Sequence, residues 1–160
     1  MAALTGNSGA SGSQAEHAQQ IADACAEILW AEDAATQSLG MTLEAVGPGT
    51  ATLSMSVVNS MTNGHQTCHG GMIFTLADSA FAFACNSYNQ RTVAQHCSIT
   101  YLAPGRLGDV LTARATEVWR QGRSGLYDVK ITNQDGITVA EFRGHARTIK
   151  GAILPPKNDL

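Results

Sequence analysis

Apolar residues recur at helical spacing from Gln14 to Ala31, where Ile21, Cys25, Ile28 and Leu29 share one face of an amphipathic helix. Asp33 is placed to N-cap a short second helix that ends at Leu39-Gly40, with Gly40 as its C′ residue. Residues Ala51–Val57 then alternate with period two, as a half-buried strand does. A polar loop from Asn59 to Cys68 leads into Met72-Ile73-Phe74-Thr75-Leu76-Ala77-Asp78-Ser79-Ala80-Phe81-Ala82-Phe83-Ala84-Cys85. A helix built from this run is apolar around most of its circumference, so it is expected inside a core, continuing to about Tyr88. Four more strands are expected at roughly Thr92–Leu102, Val110–Trp119, Gly125–Asn133 and Ile137–Lys150. The turn signals Pro104-Gly105, Gln121-Gly122 and Asp135-Gly136 separate them.

One strand, a long helix and a four-strand meander predict an α+β domain with an antiparallel sheet. A single domain over residues 14–150 is expected, with a flexible tail at 1–13, rich in small and polar residues, and a second tail at 151–160. Five strands cover one side of one oily helix. Its other side and at least one sheet edge remain open in a monomer, which predicts self-association, most simply as a two-fold dimer.

Composition narrows the function. At 160 residues and a net charge of −3, the chain gives no global reason to expect nucleic acid or an anionic membrane as partner. Cys25, Cys68, Cys85 and Cys97 contain no Cys-x-x-Cys, and free thiols in a reducing cytosol fit them. The opening Met-Ala-Ala-Leu-Thr-Gly lacks the basic and apolar regions of a signal peptide, and the apolar run is too short and too interrupted by Asp78 to cross a bilayer. A cytoplasmic protein is expected.

The chemistry concentrates around Asp78. Desolvation of a carboxylate in an apolar helix is costly and raises its pKa, which marks Asp78 as a general base or nucleophile. Just before the helix, His69-Gly70-Gly71 exposes backbone N–H groups where developing negative charge can be stabilised. If Gly70 is the donor, Asp78 lies eight residues on, roughly 12 Å along the same helix, and one chain cannot bring both to one carbon. Two helices packed antiparallel across a dimer axis could. The alternative for Asp78 is a side chain that merely reaches Thr75 or Ser79. For His69 it is a loop-orienting role, and for Asn63-Gly64 a simple turn. Cys68, His69 and Asp78 make neither a metal set nor an activated thiol: His17, His65, His96 and His145 form no pair on one element. No metal and no cofactor are expected.

The segment Asn63 to Gly105, carrying Cys-His-Gly-Gly-Met-Ile-Phe-Thr-Leu-Ala-Asp-Ser-Ala-Phe-Ala-Phe-Ala-Cys-Asn-Ser and Tyr-Leu-Ala-Pro-Gly, resembles the hotdog-fold acyl-CoA thioesterases. More narrowly, it resembles the phenylacetic acid degradation (PaaI-type) members, and Val-Ala-Glu-Phe-Arg-Gly extends the likeness toward the C-terminus. The resemblance implies a sheet of five or six strands wrapped around the long helix. It implies that Asp78 is the base or nucleophile, that the Gly70 N–H polarises a thioester carbonyl, and that Asn63 and His69 shape the site. It also implies an interfacial active site in a homodimer, with homotetramers common. Some relatives hold the attacking water with a strand hydroxyl near the place of His96.

The implied substrate is an aryl-acyl-CoA such as (hydroxy)phenylacetyl-CoA. Gly71 and Phe74 would line its site, and the Gly122-Arg123-Ser124 turn would cradle the CoA phosphates with Arg120 beside it. Arg143, Arg147 and Lys150 are further phosphate candidates, and Phe81 joins Phe74 as an acyl-pocket candidate. The competing readings are a non-catalytic acyl-CoA-binding protein and a hotdog dehydratase acting on 3-hydroxyacyl thioesters.

Overall fold

The apolar run does form the central helix. In the computed structural model, which describes residues 9–156, the elements are α1 (Gly9–Glu32), α2 (Ala34–Ser38), β1 (Thr42–Gly47), β2 (Thr50–Ser56), α3 (Gly70–Cys85), β3 (Thr92–Tyr101), β4 (Val110–Gln121), β5 (Ser124–Thr132) and β6 (Thr138–Thr148). All six strands join one antiparallel sheet in the order β1-β2-β4-β5-β6-β3. Burial alternates along β2, β5 and β6, so each presents one face to α3. Leu76, Ala77, Ala80, Phe81 and Ala84 of α3 meet Leu53, Met55, Leu111, Val129, Ile131 and Phe142 of the sheet in one core. The Phe81 ring contacts Tyr127 and Phe142 at centroid distances of 5.5 and 5.9 Å.

Several expectations need correction. The strands β3 to β6 are not a simple meander. Only β4-β5-β6 runs hairpin to hairpin, while β3 crosses to the far edge and pairs with β6. The cause lies in the turns. Gly122 and Gly136 take positive φ in tight hairpins, whereas Pro104-Gly105 opens a longer connection tied back to the start of α3 by a Cys68 N–H to Gly105 carbonyl bond of 2.8 Å. β1 escaped the sequence pattern because a bulge between Leu43 and Ala45 breaks its alternation. α3 ends at Cys85, three residues before Tyr88. Buried Asn86 caps it and clamps β3, its Oδ1 accepting from the Thr92 N–H and its Nδ2 donating to the Thr92 carbonyl, both at 2.9 Å.

At the termini, α1 begins at Gly9, so residues 9–13 of the expected tail are helical, while residues 1–8 lie outside the described residues. Of the expected C-terminal tail, Ile153 and Leu154 dock by donating their N–H groups to Asn89 Oδ1, and residues 157–160 lie outside the described residues. The second helix follows the expected pattern: Asp33 accepts from the Thr36 N–H at 3.0 Å, and Gly40 takes φ +64°. No helix among the described residues is long and apolar enough to cross a membrane.

The far side of α3 is only partly covered. Trp30 of α1 packs near Phe83, and the buried Thr36 of α2 shares a 2.8 Å hydrogen bond with Ser79. The stripe Gly71, Thr75, Asp78 and Ala82, spaced at four, three and four residues, stays incompletely buried. β3 offers its unpaired edge beside that stripe.

α3 approaches β6 closely because position 144 is glycine: a Cβ there would lie 2.8 Å from the Phe81 ring. Gly144→Val is expected to destabilise the fold by about 1–3 kcal/mol, read as a lowered urea midpoint with an unchanged slope. An unchanged midpoint would show that this contact does not limit packing.

Candidate active site

α3 opens on a spent and an unspent donor. His69 is its N-cap, and its Nδ1 accepts the Gly71 N–H at 2.9 Å, so the neutral imidazole carries its proton on Nε2. The His69 carbonyl accepts from the Met72 and Ile73 N–H groups. The Gly70 N–H is left without an acceptor among the described residues, at the positive end of a 16-residue helix. Gly71, expected among the substrate-binding donors, therefore has its N–H already taken.

The loop before α3 holds this geometry. Asn63 Oδ1 accepts from the His65 and Thr67 N–H groups at 2.9 and 3.3 Å and from the Thr67 hydroxyl at 3.2 Å, and the His69 N–H bonds the Met61 carbonyl at 2.8 Å. On the other side the Tyr101 hydroxyl donates to the Gly70 carbonyl at 2.8 Å. A Cβ on Gly70 would sit 2.9 Å from that ring, so a side chain here would have to displace Tyr101. A groove of about 380 Å³ lies alongside, lined by Thr67, Cys68, Gly70, Ile73, Tyr101 and Pro104 among others, but not by Asp78.

Asp78 sits half-buried two turns down α3. Burial pushes its carboxyl above the usual carboxylate range, a hydrogen bond from Cys97 pulls the other way, and the negative charge of Asp33 adds to the rise. Thr75 and Ser79 are not its partners. Thr75 donates to the Gly71 carbonyl at 2.8 Å and Ser79 bonds Thr36, so the purely local reading of Asp78 fails. Its one side-chain partner among the described residues is Cys97 of β3, with Sγ 3.9 Å from Oδ1. Cys97 and Tyr101 were not among the residues expected at the site. Their common signal is the period-two run Cys97, Ile99, Tyr101, with Cys97 and Ile99 packed toward the core.

None of the other expected residues hydrogen-bonds the Asp78 carboxylate. His96, next to Cys97 in the strand, is exposed and turns to the outer face, where its ring meets that of His145 at 5.6 Å. Phe74 is half-buried and packs edge-on against Phe142 at 5.4 Å, whereas Phe81 is 1% exposed and belongs to the core. Gly122, with φ +56°, forms the β4–β5 turn; Arg123 Nε donates to the Thr148 carbonyl at 2.9 Å, and the Ser124 hydroxyl accepts from Arg147 at 3.2 Å. Arg143 is held in a two-point pair with Asp128, and Arg120 lies 3.8 Å over the Tyr88 ring and 3.5 Å from Glu117.

Comparison with known proteins decides the family. Residues 65–140 match the Thioesterase superfamily. The acyl-coenzyme A thioesterase PaaI of Escherichia coli is 46% identical over 129 residues, covering 80% of this chain and 91% of that protein. The chain belongs to the thioesterase superfamily, in its PaaI-type branch. The structure of the E. coli PaaI protein from the phenylacetic acid degradation operon superposes with a TM-score of 0.83 at 42% identity, covering 84% of this chain and 97% of that one. A hypothetical thioesterase of Streptococcus pneumoniae solved with coenzyme A superposes with a TM-score of 0.67 at 31% identity, covering 70% and 90%. The fold is accordingly the hotdog fold, the six-stranded sheet wrapped around α3. The matched residues include the N-terminus of α3 and Asp78.

The raised Asp78 has a sign for stability. Its folded-state pKa exceeds its unfolded value, so ionisation costs the fold stability as pH rises through that interval. Asp78→Asn should therefore raise the thermal midpoint at pH 7 and leave it less changed near pH 3, measured by calorimetry at both. A lower midpoint at pH 7 would show the carboxylate to be stabilising.

Proposed function

We propose that this thioesterase hydrolyses acyl-CoA thioesters, with aryl-acyl groups such as phenylacetyl or hydroxyphenylacetyl as substrates in phenylacetate catabolism. The observation that carries the reading is the pairing, on one helix, of an unspent Gly70 N–H with a desolvated Asp78 carboxylate on an incompletely covered stripe. The names borne by the E. coli PaaI relative and the coenzyme A-bound Streptococcus structure support the substrate class. The CoA thioester is the substrate, and the chemistry calls for no further cofactor.

The thioester carbonyl oxygen accepts from the Gly70 N–H. Asp78 takes a proton from water as its oxygen attacks the carbonyl carbon, or attacks that carbon itself to form an acyl-aspartyl intermediate that water then opens. The tetrahedral oxyanion is held at the helix N-terminus. Its collapse breaks the carbon–sulfur bond and releases CoA, whose thiolate is a good leaving group and takes up the proton.

Gly70 and Asp78 lie roughly 12 Å apart along α3, and the Gly70 groove excludes Asp78. The complete site is thus composite: the incompletely covered stripe and the open β3 edge of one protomer meet those of a second, so that Gly70 of each faces Asp78 of the other. A homodimer carries two such sites, and a homotetramer is a pair of these dimers.

The CoA phosphates are assigned to the sheet end that gathers Arg91, Arg120, Arg123, Arg147 and Lys150, five of the chain's ten basic residues. Strand register places Ser124 beside Arg147 and Arg147 beside Val93, and the Arg91 N–H bonds the Gly151 carbonyl. Arg143, held by Asp128, is not among them.

CoA release from phenylacetyl-CoA should be fast in the wild type and lost in Asp78→Asn. Gly70→Pro, which removes the donor, should cost about 10²–10³ in kcat, with Gly70→Ala as the control for the clash with Tyr101. Mixed dimers of Asp78→Asn and Gly70→Pro chains should regain activity at one site. Verified mixed dimers without recovery would overturn the shared site, and binding without turnover in the wild type would favour a sensor.

Arg123→Ala and Arg147→Ala should each raise KM for the CoA thioester roughly two- to fivefold. Neither should change KM for the phenylacetyl thioester of N-acetylcysteamine, which lacks the phosphates. Equal effects on both substrates would place the phosphates elsewhere.

A further inference from the structure

We infer that Cys97 is a positioning residue for Asp78: its thiol donates to Oδ1 across the gap between β3 and α3, orienting the carboxylate and favouring its ionised form. The inference rests on Asp78 being the reacting carboxylate. Oδ1 lies 3.9 Å from Sγ, within reach of a sulfur donor, and no other side chain among the described residues bonds this carboxylate. The nearer candidates in sequence, Thr75 and Ser79, are committed to the Gly71 carbonyl and to Thr36.

The backbone arranges the contact. The register of β3 against β6 slips between Ala94 and His96, so that His96 pairs with His145 and Cys97 with Gly144. That bulge sets the phase of the strand. Cys97 turns toward α3 and His96 toward the outer face, where it meets His145.

The thiol is suited to donate. Burial and the adjacent Asp78 push it up to about 11, so it keeps its proton at neutral pH. The charged and titratable groups that act on Asp78 are few. Asp33, at the N-cap of α2, opposes ionisation, and no guanidinium or ammonium offsets it. Cys85, deep in α3, is pushed up to about 12 and stays neutral. Cys97 is left as the one side chain favouring the carboxylate.

The test compares kcat/KM against pH for phenylacetyl-CoA in the dimeric wild type, Cys97→Val and Cys97→Ser, with Asp78→Asn as reference. Valine retains the bulk and burial without the donor. It should shift the acid limb upward, giving a roughly three- to tenfold loss at a pH below that limb. Serine, which retains a donor, should hold the limb at or below its wild-type position. Coincident limbs in wild type and Cys97→Val, or valine and serine shifting alike, would overturn the inference.

A reciprocal measurement needs no turnover. In Asp78→Asn the Cys97 thiol should titrate at lower pH, read from the pH dependence of its alkylation by iodoacetamide with peptide mass spectrometry. An unchanged profile would show that the two groups are uncoupled. Turnover surviving in Asp78→Asn would instead remove the reading of the site itself. Loss of turnover there with coincident Cys97 limbs would remove only the positioning role.

Discussion

Burial of α3 is the constraint from which the rest follows. Its apolar positions fill the concave face of the sheet, and the close approach at Gly144 seats Phe81 against β6. A helix held this way has little freedom to rotate, so the stripe holding Asp78 is fixed where the sheet ends and β3 presents its edge. The carboxylate is desolvated because the helix is buried, and only half-buried because the sheet stops there. In the proposed role, full burial would cut it off from substrate, and full exposure would return it to the weak basicity of an ordinary aspartate. The same constraint aims the N-terminus of α3: the Asn63 loop, His69 and Tyr101 fasten its first turn and leave the Gly70 N–H unspent.

What could be read from the chain and what could not separate along physical lines. α3 and the β4-β5-β6 hairpins were legible, because sustained periodicity and glycines at positive φ act locally. Asp78 was legible as an anomaly against an apolar background, and Gly70 through the geometry of a helix start. β1 was hidden by its bulge. The place of β3 was hidden because pairing with β6 is a non-local choice, made by α3 carrying the chain across the sheet. The bulge near Ala94 also concealed which residues of β3 face α3. His96 therefore looked like a neighbour of the site, while Cys97, which touches Asp78, looked like one more thiol in an apolar run. Gly71 failed as a free donor for a similar reason: nothing in the sequence says which way the His69 ring turns, and Nδ1 takes the Gly71 N–H.

The distribution of charge has its own logic. A CoA ester needs cations for its phosphates, yet a guanidinium beside Asp78 would lower the pKa that burial raises and weaken the proposed base. No such cation acts on Asp78, while Arg91, Arg123 and Arg147 gather where β3, β5 and β6 meet the β4–β5 turn. Asn86, at the C-terminal end of α3, clamps Thr92 at the start of β3, which puts that sheet end at the opposite end of the helix from Gly70. A long, flexible pantetheine arm makes such a separation workable: the anionic end can be held by exposed cations while the thioester reaches the proposed site. In the proposed site the backbone dipole at Gly70 supplies positive potential. In the proposed dimer that dipole would stabilise the oxyanion from one protomer while Asp78 of the other serves as base, so the donor need not quench the base. Splitting the two across the proposed dimer axis would keep electrophile and base close to the substrate and distant along their own chain.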